Sequence, residues 1–138
     1  MPTQIFVSLP VRNLQDSIRF YESLGYPKNP QFSDETVASF DISDLIHLML
    51  ATHDKFGELT PKQIADPSKV CHSLLSLLCE SREAVDSIVS KAIAAGGSKA
   101  HEPEDHGFMY QRSLADPDGH IWEPFWMEMP EAADPQAQ

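Results

Sequence analysis

The chain has 138 residues, 41% hydrophobic and 22% charged, which is one domain's worth of ordinary globular composition. Its formal net charge of −11 argues against nucleic acid or an anionic membrane surface as partner, and no stretch approaches the length of a membrane span. Met1-Pro2-Thr3-Gln4 lacks the basic patch and apolar run of a signal peptide, and the two cysteines, Cys71 and Cys79, suit a reduced, cytoplasmic chain.

Gln4 to Val11 predicts a short apolar strand. Asn13 follows as a helix N-cap, with Asp16 in the first turn. Leu14, Ile18 and Tyr21, extended by Phe20 and Leu24, form a helical stripe that Gly25 stops. After a loop containing Pro27 and Pro30, Thr36 to Ile42 and Leu45 to Ala51 predict two strands around a Ser43-Asp44 turn. The polar stretch Thr52 to Lys69 predicts a linker in which Thr60-Pro61 opens a short helix over Pro61 to Ala65.

The plan then repeats. Val70 to Cys79 predicts a strand, which would hold its two cysteines roughly 26 Å apart, too far for a disulfide. Ser81 caps a helix with Glu83 in its first turn and Val85, Ile88, Val89, Ala92 and Ile93 on one stripe, ended by Gly96-Gly97. Ser98 to His101, Phe108 to Ala115 and Gly119 to Glu128 predict three further strands. The chain thus divides into a first unit (4–51), a linker (52–69), a second unit (70–128) and a tail (129–138) whose composition predicts disorder.

Asp116-Pro117-Asp118-Gly119 is a turn with a mechanism: Pro117 presets φ, the aspartates bond local backbone, and Gly119 supplies an unusual φ. In the strand that leaves it, Ile121, Glu123 and Phe125 share one face, opposite His120, Trp122 and Trp126. A lone carboxylate between apolar neighbours is costly to bury, so Glu123 needs a metal, a buried hydrogen bond or a wet cavity.

Phe6-Val-Ser-Leu-Pro-Val11, then Asn13-Leu14, Ser17-Ile18-Arg19-Phe20-Tyr21 and Leu24-Gly25, resembles the opening of the vicinal oxygen chelate superfamily, which includes glyoxalase I, bleomycin-resistance and extradiol-dioxygenase proteins. Asp116-Pro-Asp-Gly119 with Trp122-Glu123 resembles its closing motif. The resemblance covers residues 4 to 128. It implies an α+β fold of two tandem βαβββ modules curling around a cavity, and a homodimer. It also implies one divalent metal in the enzymes, with ligand positions that fall on Phe6, on the Leu45–Leu50 strand, on Leu74 and on Glu123. His47 is the candidate in that strand, and Met49 is the next inward residue.

Phenylalanine and leucine have no lone pair to donate, and an ion held by His47 and Glu123 alone would be weak and mostly hydrated. The expected site therefore has no cofactor. The alternative is one Fe, Ni, Zn or Mn ion on a shifted set of His47, His72 and Glu123, although the shift of two strand residues is roughly 6.6 Å. Phe6, Ser8, Met49, Leu74 and Phe125 are expected to line the cavity, with His47 and Glu123 pointing into it and hydrogen-bonded to each other. Tyr110 and Arg112 would add a stacking surface and an anion clamp if their side of the penultimate strand faces inward; otherwise Arg112 is a surface ion-pair residue. His101 and His106 are expected to be solvated around the acidic loop Glu102 to Asp105. Three readings follow. The first is a small-molecule binder. The second is a lyase, isomerase or dioxygenase using His47 and Glu123 as base and acid. The third is a non-catalytic interaction dimer.

Overall fold

In the computed structural model, which describes residues 2–129, each half opens with a strand whose alternate side chains pack on the helix that follows. In the first half these are β1 (Ile5–Val11) and α1 (Leu14–Ser23). The Asn13 side chain accepts the Asp16 N–H at 3.0 Å, so the cap read from sequence is made. β2 (Val37–Asp41) and β3 (Ile46–Thr52) complete a sheet of order β1-β3-β2, with β1 parallel and β2 antiparallel to β3. The second half contains β4 (Leu74–Leu78), α3 (Arg82–Ala94), β5 (Glu104–Asp105), β6 (Met109–Gln111), β7 (Leu114–Ala115) and β8 (Ile121–Met127). Its sheet runs β4-β8-β6-β5, with β7 also paired to β8. The fold is α+β with two sheets, as expected.

The α1 stripe of Leu14, Ile18 and Tyr21 is buried against Ala38, Phe40, Leu48 and Leu50, and Trp122 joins the same core. Each fully buried leucine or phenylalanine there contributes about 2 kcal/mol. Strand alternation then dictates what the helix-free faces carry. On the first sheet these are Phe6 and Ser8 of β1, Asp41 of β2, and His47 and Met49 of β3, with Phe6 beside His47 and His47 beside Asp41 in register. On the second they are Leu74, Ser76 and Leu78 of β4, Met109 and Gln111 of β6, and Ile121, Glu123 and Phe125 of β8.

The two halves are locked at the turn after β7. Asp116 Oδ1 accepts the backbone N–H groups of Asp118, Gly119 and His120 at 3.0, 3.0 and 2.9 Å, and Oδ2 accepts the Tyr21 hydroxyl at 2.6 Å. The Tyr21 oxygen in turn accepts Trp122 Nε1–H at 2.9 Å. Asp118 Oδ1 accepts the backbone N–H and Nε–H of Arg12, and His120 Nε2 bonds the Pro10 carbonyl at 2.8 Å. Burial pushes the Asp116 carboxyl up, opposed by His120 and the Tyr21 hydroxyl, and burial with the neighbouring Asp116 raises Tyr21 far above its usual value. Gly119 has φ +108°, and a Cβ there would stand 2.6 Å from the Pro67 carbonyl oxygen, so the linker is tied to the same turn.

Several boundaries differ from expectation. The linker helix is α2 (His53–Leu59), not Pro61 to Ala65. Thr52 supplies its cap, accepting the Lys55 N–H at 3.2 Å, while Thr60 is extended because a residue preceding proline is pushed out of the helical region. The strand expected from Val70 starts at Leu74, so Cys71 lies before it; both cysteines are free. Ser98 to His101 contributes a single bridge, Ser98 to Ala115, and the Phe108–Ala115 stretch divides into β6 and β7. The tail expected to be disordered lies, from 130 onward, outside the described residues. No helix among the described residues is long and apolar enough to cross a membrane.

Candidate functional site

β8 delivers Glu123 to the helix-free face of the second sheet, where it is only 8% exposed. His101 Nε2 meets Glu123 Oε2 at 2.7 Å, and the Ser76 hydroxyl donates to Oε1 at 3.2 Å from the register position beside it on β4. His101 comes from the irregular segment after α3, and Ser113 fixes it. The Ser113 Oγ, itself buried, accepts the His101 N–H at 2.7 Å and donates to the His101 carbonyl at 3.1 Å. The second imidazole nitrogen, Nδ1, faces the Glu102 carbonyl at 3.0 Å. That carbonyl and the Glu123 carboxylate raise the His101 pKa, because both nitrogens are offered acceptors and the imidazolium is favoured. The pair is thus a mostly buried carboxylate held by a partly exposed histidine.

His47 occupies the corresponding face of the first sheet and has different partners. Its Nδ1 meets Asp41 Oδ1 at 2.6 Å, its Nε2 meets Gln4 Oε1 at 2.6 Å, and its ring stacks on Phe6 with centroids 4.3 Å apart. Both nitrogens are engaged within its own half of the chain, by Asp41 of β2 and by Gln4 just before β1. The expected His47–Glu123 hydrogen bond is therefore replaced by two separate sets, and the partner of Glu123 is His101. A cleft of about 220 Å³ between β1 and β4 is bordered by both His47 and Ser76, with Leu74 and Trp122 also lining it.

The remaining candidates divide. Phe6 and Leu74 lie on the helix-free faces and are each 54% exposed; Met49 and Phe125 lie there half-buried. Ser8 borders a larger cavity of about 440 Å³ under the linker, as does His72, whose Nδ1 bonds the Ser73 hydroxyl at 2.7 Å. Tyr110 and Arg112 are a correction: they face α3, where both bond Asp86 Oδ1, at 2.7 and 2.9 Å. The other parity, Met109 and Gln111, takes the helix-free face because Asp86 supplies the acceptor on the helix side.

The metal reading meets a similar correction. Among the described residues no three His, Cys, Asp or Glu side chains form a set that could hold an ion, so His47, His72 and Glu123 are not assembled. Register also places Ser76, not Leu74, beside Glu123; Leu74 pairs with Ile121. The four corners are thus a hydrocarbon ring (Phe6), an imidazole with both nitrogens engaged (His47), a hydroxyl donating to a carboxylate (Ser76) and that carboxylate (Glu123). This donor set does not fit a divalent ion.

A family model described as "Glyoxalase/Bleomycin resistance protein/Dioxygenase superfamily" matches residues 4–123. Among solved structures, a hypothetical protein from S. aureus is 26% identical, with a TM-score of 0.75 over 91% of this chain and 95% of that one. A glyoxalase-related enzyme from Fulvimarina pelagi is 22% identical, with a TM-score of 0.77 over 97% of this chain and 95% of that one. The fosfomycin resistance protein FosX from Mesorhizobium loti is 13% identical, with a TM-score of 0.67 over 91% and 92%. No curated protein matches.

Proposed function

The chain belongs to the glyoxalase/bleomycin resistance protein/dioxygenase superfamily, and we propose that it binds a small organic molecule, without a metal ion, on the helix-free faces of its two sheets. The observation that carries this reading is a buried carboxylate set among exposed hydrocarbon. Glu123 is 8% exposed, while Phe6, Leu74 and Leu78 around the same faces are 54%, 54% and 53% exposed. Large apolar side chains grouped on an open face, with a few convergent polar groups, mark a ligand surface. The apolar body of the ligand rests on Leu74, Leu78 and Phe125, and its polar end meets His101 or Glu123.

Glyoxalase-type chemistry uses a metal to stabilise an enediolate. The Phe6 and Ser76 corners do not suit that role, and no step here is routed through an ion. A second reading, metal-free proton transfer, is favoured by one observation, the 2.7 Å contact between His101 and Glu123. A shielded carboxylate can take a proton from carbon next to a carbonyl, and His101 in its protonated form can return one. The exposed apolar residues are also consistent with a homodimer, which sedimentation equilibrium would detect.

The test is a thermal-shift screen of thiol conjugates, catechols and glycopeptide antibiotics, run in chelator and again with divalent metal. The reading predicts ligands that stabilise in chelator. It predicts about tenfold weaker binding of those ligands to Leu74→Glu, which places a charge on the apolar surface without disturbing the core. Ligands that stabilise only when metal is added would overturn it.

A further inference from the structure

The cavity under the linker has no part in the reading above. It encloses about 440 Å³ between Val7–Pro10 of β1, the segment from α2 to Pro67, and the residues leading into β4. β1 and β4 are the edge strands of their sheets, so the linker straps across two free edges and roofs the space between them. Its walls are mainly apolar, with Phe56, Ile64, Val70 and Leu75 contributing.

Charge decides the class of occupant. The chain carries 21 acidic and 10 basic residues, yet no Asp or Glu lines this cavity, and the one lining residue with a formal charge is Lys62. His72 also borders it, with its Nδ1 2.7 Å from the Ser73 hydroxyl, and adds an imidazole at the rim. A space of this volume suits a small organic ligand. We propose that this cavity is a second ligand site, selective for an amphiphilic monocarboxylate. Its apolar chain or ring, about 8 to 12 carbons, lies against Phe56 and Leu75, and its carboxylate reaches Lys62 and His72 at the rim. The site shares Ser8, His72 and Ile121 with the residues considered above, but none of Phe6, Leu74, Leu78, His101, Glu123 and Phe125, so a ligand can occupy either site without the other.

The experiment titrates the full chain with decanoate, using decanol as the neutral control, and follows backbone amides by NMR. The expected result is saturable decanoate binding that shifts amides within residues 56–75, with decanol weaker. Lys62→Glu should weaken decanoate about threefold to fivefold and leave decanol unchanged. Ala65→Trp, a change at an exposed lining position, should fill the cavity and abolish both. Decanoate shifts confined to the helix-free faces, binding undiminished in Ala65→Trp, or no saturable binding at all would each overturn the proposal. If Ala65→Trp fails to fold, the Lys62→Glu comparison and the wild-type shift map still decide it.

Discussion

The turn at Asp116–Gly119 and the face around Glu123 lie only a few residues apart, yet they do opposite things with their polar groups. At the turn, Asp116 accepts three backbone N–H groups and a tyrosine hydroxyl, and that hydroxyl also accepts Trp122. One carboxylate oxygen shapes the turn itself and the other ties it to Tyr21 of the first half. Around Glu123 the polar groups are few, the hydrocarbon is exposed, and the carboxylate is held by one histidine and one serine. A conspicuous sequence motif here marks where the backbone is constrained. The ligand surface comes from residues with little local pattern.

The contrast breaks first at the turn. Asp116→Ala leaves the Asp118 and His120 amides and the Tyr21 hydroxyl without their acceptor, and should cost about 3 kcal/mol in urea unfolding. Loss of less than 1 kcal/mol would show that the turn is not the clamp. Gly119→Ala should follow at about 2 kcal/mol, from a positive φ and a Cβ 2.6 Å from the Pro67 carbonyl oxygen. A neutral result would mean that the linker moves aside freely.

On the helix-free face the expected effects are smaller in stability and larger in titration. The folded-state pKa of His101 is raised, by the Glu102 carbonyl first and Glu123 second. Its stabilisation is therefore complete below about pH 6.5, its unfolded value, and is lost as pH rises through the folded value. Glu123→Gln should lower the His101 pKa, measured from its ring protons by NMR, yet leave it above 6.5 because the Glu102 contact remains. An unchanged titration would show that the pair is not formed in solution.

The smallest effect lies in neither region. Arg82 grips Asp105 with two hydrogen bonds, at 2.9 and 3.0 Å, and its guanidinium stands 5.1 Å from both the Tyr110 and Trp126 rings. These bonds lower Asp105 to about 2, so its contribution is present above pH 3.8 and is lost as pH falls toward 2. Arg82→Gln should return the Asp105 titration toward 3.8; no change would place the cause in the Gly107 amide alone.

The sequence showed the caps at Asn13 and Ser81, the α1 stripe and the parity of β8, because each depends on spacing within a few residues. It did not show His101. That histidine sits in a segment without periodicity and is placed by Ser113, 12 residues away, so no local signal exists. The parity of β6 was equally hidden, since Tyr110 and Arg112 look like cavity residues until Asp86 of α3 is seen to bind both. For the linker helix, Thr60-Pro61 pointed to the wrong segment: Thr52 is the cap, and the Pro61 that favoured Thr60 holds it extended.

The central claim is that ligand reaches Glu123's face without an ion. NMR shift mapping in chelator, with any ligand that stabilises the protein, tests it most directly. The account predicts shifts at Phe6, Leu74 and Phe125 together with the His101 ring. Shifts that appear only when a divalent metal is added, with His47 and Glu123 responding together, would contradict it.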